Sequence, residues 1–174
     1  MPVVVVPSDP AWPAAFEAEG DLLGGWLGPW LDGGIHHIGS TSVPGLAAKP
    51  TLDMIAGVRD LRRARRAIGV LTDLGYVHAE HRPRALWFYR PVGGEPGAHS
   101  HHLHLTRPGS DLWRERLGFR DALLADPALA AQYEALKLQL AAGHGDDPPA
   151  YSRGKREFVA GVLAGVGVRL RPPA

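Results

Sequence analysis

The sequence predicts an α+β protein in one domain, residues 1–174, with a helical C-terminal half. Three observations predict it. Short apolar segments broken by glycine and proline crowd the chain before residue 106. After Pro108-Gly109 the apolar residues recur at helical spacing. No internal repeat or low-complexity linker divides the 174 residues. A chain of this length buries roughly 70 % of its unfolded surface, so it folds without staples.

Composition narrows the chemistry. There are no cysteines, which excludes disulfides and any Cys-ligated zinc or iron–sulfur site. Nineteen basic residues against eighteen acidic ones leave a net charge of +1, giving no reason to expect nucleic-acid binding. Met1–Pro10 has no basic n-region, and its apolar run is only Val3–Val6. No apolar run is long enough to span a bilayer, so a cytoplasmic protein without a membrane partner is expected. Sixteen of the basic residues are arginine and three are lysine: Lys49, Lys137 and Lys155. Nine histidines are many, and His36, His37, His99, His101 and His102 fall in two clusters with His104 close behind.

Taken in order, Val3–Val6 reads as a short edge strand. Ser8 or Asp9 can cap a helix that Pro10 opens, with Trp12, Phe16 and Leu23 at helical spacing to about Trp26. Gly33-Gly34 breaks the chain before a strand, Ile35–Ile38. Thr51–Val58 reads as the next strand. Asp60 caps a helix whose stripe is Leu61, Ala64, Ile68 and Leu71, ending at Gly75. Arg62, Arg63, Arg65 and Arg66 form its solvated face. Tyr76–Glu80 and Ala85–Arg90 read as strands joined by a turn containing Pro83, and Pro91–Ala98 as a Gly- and Pro-rich loop. His101–Thr106 alternates His and Leu, the pattern of a half-buried strand. Ser110 or Asp111 caps a helix over Leu112–Leu124, and Asp126-Pro127 starts another to about Ala142. Gly143–Pro149 reads as a loop, and Ser152–Val166 as the last helix. Trp12, Phe16, Trp87, Trp113, Phe119 and Phe158 read as core.

The chemistry concentrates in residues 37–53, HIGSTSVPGLAAKPTLD. A strand ends at Gly39-Ser40, a polar turn follows, and Lys49 precedes Asp53 inside an apolar strand. Gly39, Ser40 and Thr41 can grip a phosphate through N–H groups and hydroxyls. The same Gly-Ser also reads as a tight turn needing positive φ at Gly39. A carboxylate in a buried strand is costly unless it is paired or binds a metal, so Asp53 is a candidate metal ligand. The alternative is an Asp at a strand end that accepts from Lys49 or from backbone N–H groups. His102 and His104 lie two apart on a strand and so share a face, with Leu103 and Leu105 on the other. Such a pair suits a metal or a phosphate, or else donates to a carbonyl and water. His99 and His101 read as loop and surface residues. Tyr151, Arg153, Lys155 and Arg156 open the last helix, where a basic cluster reaches an anion or stays solvated.

These segments carry a resemblance. HIGSTSVPGLAAKPTLD, then HHLHLTRPGSDLWRERLGFRDALLADPALAAQYEALK, then YSRGKREFV resemble the GrpB (UPF0157-like) family of small bacterial proteins, sometimes found fused to dephospho-CoA kinase. The likeness runs from the DPAW segment near residue 9 to the last helix. The family resembles the nucleotidyltransferase superfamily, which implies a mixed β-sheet flanked by helices. In that superfamily the Gly-Ser turn holds a triphosphate, and carboxylates on the following strands bind two Mg²⁺ ions. Carried over, Gly39 and Ser40 hold phosphate and Asp53 binds metal. The usual Asp-x-Asp partner is missing, because Thr51 and Ile55 stand at those positions. Where a third carboxylate is expected, the chain offers His102 and His104.

The resemblance therefore implies a nucleotidyltransferase-like enzyme acting on a nucleotide or other phosphorylated small molecule. Its expected catalytic residues are Asp53, His102 and His104. Its expected phosphate-binding residues are Gly39, Ser40, Thr41, Lys49, Tyr151 and Lys155. Its divalent metal, Mg²⁺ or Mn²⁺ or else Zn²⁺, is expected on Asp53, His37 and His104. Two alternatives stand beside it: a catalytically degenerate module that binds a phosphorylated ligand, and a metal- or His-dependent hydrolase or cyclase on the same scaffold.

Overall fold

Two strands with matching alternation set up the molecule. The computed structural model describes residues 2–80, 84–93 and 97–171. Its strands are β1 (Leu31–Ile38), β2 (Leu52–Val58), β3 (Val77–Ala79), β4 (Leu86–Pro91) and β5 (His99–Thr106). They form one mixed sheet in the order β1-β2-β5-β4-β3. β2 and β5 run parallel, and the other neighbours are antiparallel.

On one face, Met54, Ala56 and Val58 of β2 and Leu103 and Leu105 of β5 are buried. They pack with Leu23 and Leu27 of helix α1 (Trp12–Leu27), Ala64 of α2 (Leu61–Ala64) and Leu71 of α3 (Ala67–Asp73). Each Leu, Met or Val among them contributes roughly 1.5–3 kcal/mol when fully buried. The intervening residues, Asp53 and Ile55 on β2 and His102 and His104 on β5, therefore face the other way. On that second face Ile38 and Ile55 pack against Leu112 of α4 (Asp111–Ala125). Helices α5 (Pro127–His144), α6 (Pro148–Gly154) and α7 (Arg156–Gly165) complete the C-terminal half. A core shared by α4, α5 and α7 joins Leu123, Tyr133 and Phe158 to Val43 and Leu46 of the segment before β2. Asp60, Ser110, Asp126 and Asp147 each accept backbone N–H groups at the start of a helix.

Several boundaries differ from the expectation for physical reasons. β1 begins at Leu31 because Gly33 and Gly34, both at positive φ, pass through it as a bulge instead of breaking it. Val3–Val6 makes a single bridge, Val6 to Ala48, and no strand. The helix after Asp60 is split between Ala64 and Ala67. α5 continues to His144, and Asp147 caps α6 one residue before Pro148, so most of the expected loop is helical. The last helix is interrupted at Lys155. The arginine run on α2 and α3 is exposed, as its charge requires. The turn expected at Pro83 and the middle of the 91–98 loop lie outside the described residues, although Val92 N–H donates to Ala98 O across that loop. No helix among the described residues is long and apolar enough to cross a membrane.

The α1 face also holds a buried ion pair. Glu19 accepts from Arg90 Nη1 at 3.0 Å and Nη2 at 2.7 Å, and from the Tyr76 hydroxyl at 2.8 Å. His101, expected at the surface, points here, with Nε2 3.9 Å from Glu19. Burial works against the Glu19 carboxylate, yet the bonds and charges of Arg90, Tyr76 and His101 hold its pKa below the ordinary value. Removing one partner strands the other charge. Glu19→Ala is expected to cost roughly 3–5 kcal/mol in urea denaturation, and the double variant Glu19→Leu/Arg90→Met to recover most of it.

Candidate functional site

The sheet register builds the site row by row. Ile38 pairs with Asp53, Asp53 with His102, and His102 with Tyr89, so one row crosses β1, β2, β5 and β4. One step along, Ile55 pairs with His104 and His104 with Trp87. Asp53 Oδ1 and His102 Nδ1 are 2.8 Å apart. His102 Nε2 in turn lies 3.0 Å from Nδ1 of His99. His99 was expected on a surface loop. The extra residue Ser100, a bulge between the pairs His99–Pro91 and His101–Arg90, turns it onto the face of His102. There it stacks on Tyr89 at 4.2 Å between ring centroids. Trp87, expected in the core, stands 5.4 Å from the His102 ring and lines the cleft. Burial opposes ionisation of Asp53, but the hydrogen bond and charge of His102, with His104 and Arg116, hold its carboxyl below the usual range.

Gly39 joins β1 to a 3₁₀ turn over Ser40–Ser42 with φ 73° and ψ −174°. A Cβ here would lie 2.5 Å from Asp53 Oδ2, so glycine serves both the backbone and the close approach to the carboxylate. Ser42 Oγ donates to Gly39 O at 2.6 Å and fixes the turn. Thr41 Oγ1 donates to Thr51 O at 3.2 Å, which leaves His37 Nε2 to donate to Thr41 Oγ1 at 2.9 Å. His37 pairs with Met54 on the α1 side of the sheet and stacks on Phe16. It therefore does not line the cleft with Asp53 and His104. Burial, with a contribution from Arg120 and against the pull of Asp53, brings the His37 pKa down to about 4.

The C-terminal helices supply the other wall. A narrow lobe of about 80 Å³ is lined by Ser40, Thr41, Lys49, Thr51, Asp53, Lys137, Tyr151 and Lys155. It adjoins a wider cleft of about 260 Å³ that adds Gly39, Trp87, His102, His104 and Arg116. The structure thus gathers every expected site residue but His37 around one cavity. It adds Lys137, noted in the sequence only as one of three lysines, and Arg116, neither of them an expected site residue. Lys137 lies on α5, 84 residues beyond Asp53, and no local pattern ties the two together. Its Nζ donates to Ala47 O, while Glu134 Oε2 accepts from Ala47 N–H at 2.6 Å. These two side chains clamp the peptide two residues before Lys49. Burial lowers the Lys137 pKa to about 8, with Glu134 opposing and Lys155 reinforcing the shift. Lys155, whose Nζ sits 4.2 Å from the Tyr151 ring centroid, is also lowered to about 8, by burial first and then by Lys49 and Arg116 against Asp53.

A two-metal centre does not fit these residues. Thr51 donates to His99 O at 2.9 Å, and Ile55 is buried against α4, so neither flanking position offers a carboxylate. Among the described residues, no three His, Asp, Glu or Cys side chains are grouped to hold a metal. The expected set of Asp53, His37 and His104 does not converge, because β1 turns His37 to the other face.

The match to known proteins agrees with this architecture. The model of the GrpB protein family matches residues 2–164. The chain is 37 % identical over 174 residues to a UPF0157 protein of Pseudomonas aeruginosa, covering 98 % of this chain and 70 % of that one. Some relatives are much longer: the chain spans 42 % of one from Bacillus subtilis. The crystal structure of GrpB from Enterococcus faecalis superposes with a TM-score of 0.82 at 28 % identity, covering 94 % of this chain and 99 % of that one. Cid1 in complex with its short product ApU superposes at 0.51 with 17 % identity, over 76 % of this chain and 42 % of that one, a likeness of fold alone.

Two outcomes are expected here. Gly39→Ala should cost about 1–3 kcal/mol in chemical denaturation through its positive φ, and shift the Asp53 and His102 NMR resonances. Stability should fall as pH drops from about 6.5 to about 4. In that window the unfolded state protonates residue 37 while the folded state keeps it neutral. Urea titrations of His37→Gln should show a shallower decline over the same range.

Proposed function

The chain belongs to the GrpB family, and we propose that its cavity binds a phosphorylated small molecule of the nucleotide class on a nucleotidyltransferase-like scaffold. The observation that carries this reading is the charge of the lining. Lys49, Lys137, Lys155 and Arg116 face the cavity, against a single carboxylate among the described residues, that of Asp53. Oδ1 of that carboxylate is already engaged by His102. Ser40, Thr41, Thr51 and Tyr151 add hydroxyls. Such a surface repels cations and bare carboxylates gain little from so many donors, whereas a phosphate uses both the charges and the hydroxyls. Trp87, His102 and His104 supply the flat surfaces on which a nucleobase stacks.

Nucleotidyl transfer is the second reading, and the position of Asp53 beside the Gly39-Ser40 turn favours it. Mg²⁺ often binds through one or two carboxylates and the substrate's own phosphates. A single ion arriving with the ligand would then meet Asp53, with the lysines offsetting phosphate charge.

A thermal-shift series with nucleoside triphosphates, in EDTA and in Mg²⁺, separates the two. Ligand at about 100 times Kd stabilises by ~2.7 kcal/mol, or roughly 5–10 °C for a chain of this size. The binding reading expects that shift in EDTA, and its loss in the double variant Lys49→Ala/Lys155→Ala. The transfer reading expects Mg²⁺ to enlarge the shift, Asp53→Asn to cancel only the enlargement, and pyrophosphate to appear with a suitable acceptor. No shift with any nucleotide or sugar phosphate would end both.

A further inference from the structure

The two parts of the cavity differ in size and in chemistry. The narrow lobe has room for a few waters and is walled by buried groups: Thr41, Thr51, Tyr151 and Lys137 are each at least nine-tenths buried. The wider cleft carries the aromatic and imidazole rings. Among the described residues, no carboxylate lies within ion-pair distance of Lys49, Lys137 or Lys155. Asp53, which lines the lobe, directs Oδ1 to His102 and has Oδ2 against Gly39.

We infer that the narrow lobe receives a single terminal phosphoryl group, a phosphate monoester inserted end-on, and excludes phosphodiesters. This rests on the reading of the cavity as a phospho-ligand site and fixes which kind of phosphate it accepts. A monoester presents three unsubstituted oxygens to the lobe, and its one ester oxygen leads out towards the cleft. A diester has a second substituent that would run into the buried wall of Thr41, Thr51 and Lys137. It also carries one negative charge where the monoester carries close to two.

The charge balance points the same way. A cation taken out of water without a counter-ion is costly, and three ammonium groups share this space. Lys137 and Lys155 each fall to about 8, chiefly through burial. The cations that line the lobe disfavour one another's charge, and a dianion seated among the lysines relieves that repulsion. A residue kept for binding at the expense of stability leaves a signature that a structural residue does not: its removal weakens the ligand and spares or stabilises the free protein. Lys155 is the better probe. Apart from its position over the Tyr151 ring its ammonium makes no hydrogen bond to the described residues, whereas that of Lys137 also holds Ala47.

The test is calorimetric binding and thermal shift on the full chain in EDTA, with adenosine, adenosine 5′-monophosphate, adenosine 3′,5′-cyclic monophosphate and inorganic phosphate. The 5′-monophosphate should bind at least 10-fold more tightly than the cyclic diester. Inorganic phosphate should compete with it, and adenosine should give no shift. Lys155→Met should weaken the 5′-monophosphate at least 10-fold while leaving the ligand-free Tm equal or higher. Lys137→Met should weaken it as much, with a lower Tm from the lost bond to Ala47. Equal affinity for the cyclic diester would overturn the end-on monoester and leave phospho-ligand binding standing. No binding by any phosphate would overturn both. A folded Lys155→Met protein with unchanged affinity would also overturn this inference. If neither variant folds, the comparison of the two nucleotides on the native chain decides it.

Discussion

The parallel pairing of β2 with β5 is the constraint on which the site depends. It sets Asp53 opposite His102 and Ile55 opposite His104. A shift of one residue would move every side chain of one strand to the other face. The apolar residues Met54, Ala56, Leu103 and Leu105 prevent that shift, because it would bring them into the cleft and the histidines into the α1 core. The same alternation that buries the core thus positions the carboxylate and the imidazoles. Their 2.8 Å contact depends on hydrophobic patterning as much as on their own attraction.

The sheet supplies only half of the cavity. The carboxylate, the rings and the Gly39 turn come from its strands, while Lys137, Tyr151, Lys155 and Arg116 come from the helices that follow. The shared core of Val43, Leu46, Leu123 and Tyr133 holds these halves together. Glu134 and Lys137 reinforce the junction by gripping both polar groups of Ala47, so the segment carrying Lys49 is fixed from the helical side. The missing carboxylates matter equally. With Thr51 and Ile55 flanking Asp53, and histidines on β5, the chain shares the fold of Cid1, but its described residues group no donor set for a two-metal centre.

Much of this was legible in the sequence, for definite reasons. The α+β class, the caps at Asp60, Ser110 and Asp126, and the shared face of His102 and His104 all follow from local periodicity and capping chemistry. What failed needed non-local information. The bulge at Ser100 that turns His99 inward exists only because β4 pairs there. Trp87 reads as core in any pattern, and only its partner His104 reveals that its face opens to the cleft. His37 seemed a ligand through proximity along the chain, but one position along a strand reverses its direction. Lys137 looks like any helix lysine until tertiary packing buries its ammonium beside the lobe.

The break at Lys155 has a mechanical consequence. This residue ends α6 and immediately precedes α7, so it belongs fully to neither rod. A side chain at Gly154, just before it, would have to displace the methyl groups of Leu140, so the joint packs closely on α5. An ammonium mounted on such an elbow is aimed by the angle between two short rods. Loosening either one would disperse the charge while the sheet beneath stayed intact.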